Sequence, residues 1–409
     1  VISQDGAPAG WNRIVSQGRL GSGIMNKWIE ISVRAIENNL REIQAHLDAG
    51  TRLIAVIKAN AYGHGAVATA RILGGLGVDY FAVSFLEEAL QLRDAGIQAS
   101  LLVFSPVIGA AEMREAIRHR LTLTIASERD QRLAEAICSE TGQTVRVHMK
   151  VDTGLGRFGL NEEQALAVWE KIKVCRCIEI EGIYTHTADP SSPRLAEKQF
   201  QRFMQMIDRL EQTGAKFPIK HIANSTIFLR SPYMHLDAVR IGTLLSGQHP
   251  VGNFGRRLQL QDPFTFKSQV ISVRDLPRGT RLGYSGTFRL KQEAKIAVVP
   301  VGFHDGLALE VANKPTGLWD MLKRLAKITL GFFGWPGQQI YITIKGVNCP
   351  VRGKVFMQMA LVEIPPGMEI TVGDEVVVPV RKTLAANDIA RLYLDSGGAR
   401  GASKVDTGC

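Results

Sequence analysis

Lys58 closes an apolar run, Ile54-Ala-Val-Ile-Lys58, and is followed by Ala-Asn-Ala-Tyr62-Gly-His64-Gly65. An amine at the end of a strand can form a Schiff base if a carbonyl compound is held against it. The glycines that follow let backbone approach closely, and Tyr62 adds a hydroxyl donor. A second block, Val147-His-Met-Lys150-Val-Asp152-Thr-Gly-Leu-Gly156-Arg157-Phe-Gly159, again ends a strand in lysine and presents Arg157 on a glycine-rich turn. The planar fork of arginine suits a carboxylate gripped by two hydrogen bonds. His186 ends a third run, Tyr184-Thr-His186. Asn224-Ser225-Thr226 and Arg240-Ile-Gly242-Thr243 set small polar residues at strand ends, where backbone N–H groups can cradle a phosphate. A fifth block is Leu282-Gly283-Tyr284-Ser285-Gly286-Thr287. Taken singly, each fits a solvated turn or a structural histidine as well as it fits a site.

Elements that could position these residues follow from the hydropathy pattern. Eight apolar runs fall at 53–57, 80–83, 101–104, 121–125, 145–151, 178–184, 219–222 and 238–241. Amphipathic stretches such as 112–119, 130–138 and 196–210 separate them. Near-continuous apolar strands alternating with helices predict a parallel sheet covered on both faces. Eight of them predict a closed (β/α)8 TIM-type barrel, whose catalytic face lies at the strand C-termini. After residue 255 the pattern changes to short β-rich runs at 265–273, 294–301, 339–344 and 375–380. The expected organisation is a barrel over 25–255 and an all-β domain over 256–409, with the early strand 28–31 joining the second. Residues 1–24 and 396–409 are Gly-rich and weakly patterned, and Met25 is the expected start of the patterned region.

In this order the blocks resemble the alanine racemase family, from about Trp28 to Leu394 apart from one insertion. The resemblance implies a homodimeric isomerase that uses pyridoxal 5'-phosphate on a small amino acid, alanine first and serine second. It implies that Lys58 carries the cofactor and is one acid/base. Tyr284 would be the other, reaching in from the partner subunit. Arg157 and Met357 would meet the substrate, and Lys150 would be the lysine that members often carry as a carbamate. Tyr62, Ser225, Gly242 and Thr243 would hold the phosphate. His186 would lie against the ring, and Arg240 would face its nitrogen. Two rivals remain: a non-catalytic pyridoxal-phosphate carrier on the same barrel, and a barrel-type decarboxylase. A carrier needs neither Tyr284 nor a β domain, and Arg240 in place of a carboxylate speaks against the decarboxylase.

The sequence also departs from the family's pattern. Phe303 stands where a tyrosine is usual, Leu309 where an arginine is, and Lys354 and Gln358 alter the Gly-Arg-Val-x-Met-Asp motif. No counterpart of the family's C-terminal phosphate tyrosine precedes residue 409. An insertion at 313–337 predicts a helix over 318–333, with Thr316 as its cap. Asp320, Lys323, Arg324 and Lys327 share one arc of it, while Trp319, Met321, Leu322, Leu325, Ile328, Phe332 and Phe333 occupy the rest. Packing on the chain's own β domain, a cover over the substrate entrance and a peripheral membrane contact all fit that pattern.

Composition sets the outer bounds. The chain of 409 residues has 45% hydrophobic and 22% charged residues, as soluble globular proteins do. No apolar run has the length of a membrane span. A formal charge of +10 favours anionic partners, yet the cations are dispersed and no nucleic-acid motif occurs, so no nucleic-acid partner is expected. Five cysteines at irregular spacing complete no metal site and fit free thiols in a reducing cytoplasm.

Overall fold

The structure is a computed structural model that describes residues 25–250, 257–309, 317–332, 339–395 and 400–403. The chain divides into two compact units, one of residues 33–263 and one of 1–32 with 264–409.

The first unit is a parallel barrel. Its strands are β2 (Arg52–Val56), β3 (Tyr80–Val83), β4 (Ser100–Val103), β5 (Thr122–Ile125), β6 (Val145–Lys150), β7 (Ile178–Tyr184), β8 (Ile219–His221) and β9 (Ala238–Ile241). They are ordered β8-β7-β6-β5-β4-β3-β2-β9. The ends meet through a parallel bridge between Asn224 and Arg240, so the eight-stranded barrel is nearly closed. Strands β3, β5 and β9 are buried at every residue, which is why they read as unbroken apolar runs. Helices cover the outside, among them α1 (Val33–Gln44), α2 (Ala66–Gly75), α3 (Leu86–Asp94), α4 (Ala110–Arg118), α5 (Glu128–Thr141), α6 (Glu162–Ile172), α7 (Pro193–Gln212) and α8 (Ser225–Arg230). Their starts carry local signals. Ser127 accepts the amide of Asp130, Asn161 and Gln164 form a reciprocal capping box, and Pro193 opens α7.

The second unit is mostly sheet. β1 (Lys27–Ser32) pairs antiparallel with β10 (Phe264–Gln269) and parallel with β19 (Arg391–Leu394). They lie inside a seven-stranded sheet that also takes β15 (Tyr341–Ile344), β16 (Val347–Pro350), β18 (Glu375–Val377) and β20 (Arg400–Ser403). A three-stranded sheet joins β11 (Ser272–Leu276), β14 (Ala294–Val299) and β17 (Ala360–Ile364), and β12 (Arg281–Leu282) pairs with β13 (Phe288–Arg289). Two expectations are corrected. The run at 265–273 is two strands, β10 and β11, which belong to different sheets. Residues 400–403, set aside as weakly patterned, form β20 against β19. Backbone hydrogen bonds to a neighbour supply what their side chains do not signal. Helix α9 (Leu318–Phe332) lies where the amphipathic insertion predicts it, and Thr316 and Phe333 lie outside the described residues.

Candidate active site

Lys58 stands just beyond β2, and the backbone after it turns the unusual way. Ala59, Asn60, Ala61 and Tyr62 all have φ between 49° and 55°. For residues with a Cβ this left-handed turn costs about 1–2 kcal/mol per residue. It persists because its neighbours hold it. Glu88 Oε1 accepts the Ala59 amide at 2.6 Å, and Asn60 Oδ1 accepts the Ala66 amide at 2.7 Å. The other oxygen of Glu88 accepts the amides of Ser84 and Phe85, fixing the carboxylate to the start of α3. The turn thereby sets Lys58 and Tyr62 in the wall of one cavity.

That cavity measures about 260 Å³ and opens at the C-terminal ends of the strands. Its wall includes Lys58, Tyr62, Arg157, His186, Ser225, Arg240, Gly242 and Thr243, with Val56, Phe104, Tyr184, Asn224 and Thr226. Eight residues singled out from sequence therefore converge here, although they come from five segments of the chain. Gly242 is required by shape: a Cβ there would stand 2.3 Å from the Tyr62 hydroxyl oxygen.

The lining holds three cationic side chains and no carboxylate. Burial and the Arg157 charge lower the Lys58 pKa, with Glu88 opposing. His186 is pushed down to about 3 by burial and by Arg240, Arg157, Lys150 and Lys58, so it is neutral near pH 7. Burial lifts Tyr62 and Tyr184 to about 12 each. Lys150 is buried beneath the site, donates to the Phe158 carbonyl at 2.8 Å, and is lowered to about 8 by burial and by Arg157 and Arg240.

Arg240 is 4% exposed and spends both terminal nitrogens on the barrel. Nη1 donates to His221 Nδ1 at 2.7 Å and to the His221 carbonyl at 3.1 Å. Nη2 donates to the carbonyls of Thr185 and Ile222 at 2.8 and 3.0 Å, and lies 3.4 Å from His186 Nδ1. Arginine only donates, so His221 Nδ1 accepts and its proton sits on Nε2. That proton goes to His148 Nδ1 at 2.8 Å. By the same logic His148 Nε2 donates to the Tyr80 oxygen at 3.1 Å, and Tyr80 donates to Glu181 Oε2 at 3.2 Å. Thr122 donates to the same oxygen at 2.7 Å. Burial lowers both histidines and keeps them neutral. Glu181 stays below the usual carboxylate range: burial opposes its charge, but contacts with His148, Thr122 and Arg146 outweigh it. A polar chain thus fills the barrel from Arg240 to Glu181. Gly182 makes room for it, since a Cβ there would meet the His148 ring at 2.7 Å.

Comparison with known proteins decides the family. The description "Alanine racemase, N-terminal domain" matches residues 31–250, and "Alanine racemase, C-terminal domain" matches residues 263–394. The chain belongs to the alanine racemase family. It is an amino-acid racemase, an isomerase. Alanine racemase 1 of Oceanobacillus iheyensis is 33% identical over 86% of this chain and 87% of its own. The alanine racemase of Methanococcus maripaludis is 34% identical over 86% and 88%. The solved alanine racemase of Clostridium difficile superposes with a TM-score of 0.80 at 26% identity, covering 94% of this chain and 98% of its own.

The remaining family positions lie in the β unit. Tyr284 is 69% exposed, on a short 3-10 turn where Ser285 has φ 61°, and its ring stands edge-on to Phe356 at 5.0 Å. Met357 is also exposed. Its carbonyl accepts the His304 amide and that of Phe356 accepts the Phe303 amide, which brings the altered position Phe303 beside Met357. A Cβ on Gly283 would reach 3.4 Å from the Lys354 amide nitrogen, so Tyr284 and Lys354 are neighbours too. Leu309 and Gln358 are exposed. Sequence reading missed Glu88, Asn60, His148, His221, Glu181 and Tyr80 as supports of the site. The histidines carried a signal, since both sit on barrel strands at inward-facing positions.

Proposed function

We propose that this racemase interconverts L- and D-alanine, with pyridoxal 5'-phosphate held at Lys58 and with Lys58 and Tyr284 as the two proton carriers. The observation that carries the reading is the cavity itself: a lysine of lowered pKa in a cation-rich, carboxylate-free wall beside hydroxyl donors.

The residues present fit the cofactor. The hydroxyls of Tyr62, Ser225 and Thr243 and the close backbone at Gly242 suit a phosphate. Among the described residues Arg240 Nε has no acceptor, whereas all its other nitrogens do, which suits a ring nitrogen. When bound, the cofactor draws electrons from the substrate Cα and so acidifies its proton. Arg240, always protonated near pH 7, would face the ring nitrogen without giving up a proton to it and so would moderate that withdrawal. Arg157 grips the substrate carboxylate and fixes the Cα–H direction. The Lys58 amine, its pKa lowered by burial and by Arg157, takes a proton from or returns it to one face of Cα. The opposite face needs a second group. Tyr62 and Tyr184 are poor bases at about 12. Tyr284, exposed on the β unit amid exposed Phe303 and Met357, suits delivery from a partner subunit in a homodimer. The four described cysteines are free thiols, in keeping with a cytoplasmic setting.

The test combines chemistry and turnover. Borohydride reduction of the holoenzyme is expected to attach the cofactor irreversibly to the Lys58 peptide, read by mass. A coupled assay is expected to show D-alanine from L-alanine with a higher kcat/KM than D-serine from L-serine. A label on another lysine, or no racemisation of either amino acid, overturns the reading.

Lys150 enters the same proposal as a carbamate. At a pKa of about 8 a useful fraction is free amine near neutrality, the form that adds to carbon dioxide with loss of a proton. The product is an anion set near Arg157 and Arg240, and it would replace repulsion among three cations with attraction. In 13C-bicarbonate, NMR of the enzyme is expected to show a carbamate carbonyl that is missing from Lys150→Met. A wild-type spectrum without it at saturating bicarbonate removes the assignment.

A further inference from the structure

Helix α9 is solvent-exposed along its whole described face. From Leu318 to Leu330 every residue is exposed except Asp320, which is half-buried. Leu318, Trp319 and Ile328 are 69%, 71% and 63% exposed, and Met321, Leu322, Leu325 and Leu330 are exposed beside them. Packing on the chain's own β domain, one of the three readings of the sequence, therefore does not account for this apolar surface. A lone helix of about this length is marginal in water. Contiguous exposed apolar surface of this kind marks an interaction site.

The arrangement says what the partner is. At about 100° per residue, Lys323, Lys327, Asp320 and Arg324 fall within an arc of roughly 100°. The apolar side chains spread over roughly 200° on the other side, counted at the same 100° per residue. A protein groove takes a narrower stripe; an arc this wide fits a cylinder sunk into a planar apolar layer. The polar arc carries three cations and one acid, and Asp320 pairs with Arg324 at 3.3 Å. Lys323 and Lys327 are one turn apart on the same arc. Trp319 sits beside the apolar–polar boundary, where aromatic rings favour the headgroup level. The chain's formal charge of +10 adds attraction of the same sign. The helix does not span: 15 residues rise only about 22 Å against a hydrocarbon core of about 30 Å. Among the described residues no helix is long and apolar enough to cross a membrane.

We propose that α9 is an interfacial anchor that docks the racemase on an anionic lipid bilayer. It lies parallel to the surface, its apolar arc among the acyl chains and its lysines at the headgroups.

The test is flotation of the full-length holoenzyme with phosphatidylcholine vesicles, with and without phosphatidylglycerol. Binding is expected only with the anionic lipid and is expected to weaken as salt rises. About 1 kcal/mol per basic residue near such a surface is about fivefold each, so Lys323→Gln with Lys327→Gln should weaken partitioning about 30-fold. Leu325→Ser with Ile328→Ser should abolish it. All these exposed variants should fold and keep wild-type kcat and KM. Brominated lipid should quench a fluorescence component that Trp319→Phe removes. Three results overturn the proposal: no binding to anionic vesicles at low salt; binding indifferent to the four substitutions; or a Leu325→Ser/Ile328→Ser variant that changes oligomeric state or KM, which would mean that a second copy or the substrate route is what the helix covers. Because binding is read without turnover, its failure leaves the assignment of the reaction standing.

Discussion

Tyr284→Phe is expected to lower racemisation roughly 10²- to 10⁴-fold in both directions, the usual cost of removing one positioned acid/base. The substitution deletes one oxygen from an exposed ring that stands edge-on to Phe356, so stability should change little. Cofactor absorbance should be unchanged, because the substitution leaves Lys58 and the residues lining its cavity intact. A second arm tests who supplies the phenol. Lys58→Ala and Tyr284→Phe proteins, each inactive, are refolded together. If each site takes Lys58 from one chain and Tyr284 from the other, half of the chains pair as heterodimers and each has one intact site. Activity should then return to about one quarter of wild type by that counting. No recovery, with mixed dimers confirmed by mass, assigns both groups to the same chain. Wild-type turnover by Tyr284→Phe alone removes the residue from the mechanism.

Arg240→Met is the second large effect, and here the loss falls on the fold as well as the reaction. Methionine matches the reach of arginine but donates nothing. In a buried setting the carbonyls of Thr185 and Ile222 and the Nδ1 of His221 would lose the donor that Arg240 supplies, and the His221 carbonyl would keep only the Thr185 amide at 3.3 Å. Breaking such a buried charged network costs about 3–5 kcal/mol. At roughly 2–4 °C per kcal/mol for a unit of this size, the Tm should fall by about 6–20 °C. Turnover should fall too under the proposed function, in which Arg240 faces the cofactor's ring nitrogen. A Tm within 2 °C or so of wild type would mean that the network contributes little, contrary to the usual cost of orphaned buried acceptors.

The barrel was legible because its strands are buried on both faces, so their apolar runs stand out without any knowledge of partners. Lys58 and Arg157 were legible because each ends or follows such a run. Glu88 was not: what makes it matter is a hydrogen bond to an amide 29 residues earlier in the chain, which no local pattern encodes. The same holds for Glu181, whose partners Tyr80 and Thr122 come from other strands. The boundary between β10 and β11 was hidden because Val270 and Ile271 keep the run β-like while the chain passes between sheets. For α9 the sequence specified the amphipathic helix but not its cover, since periodicity describes a face and not what meets it.

The row from Arg240 to Glu181 also has a direction. Each member hands a proton toward the carboxylate, and each histidine spends its one acceptor nitrogen on the proton behind it. Such a row contains no vacancy. A proton taken up from solvent at the partly exposed Glu181 end stops there, because every nitrogen further in is already spoken for. A proton withdrawn from the cavity end would oblige all the links to reverse together. At the inner end Arg240, lowered by burial to about 10, keeps its charge through the neutral range.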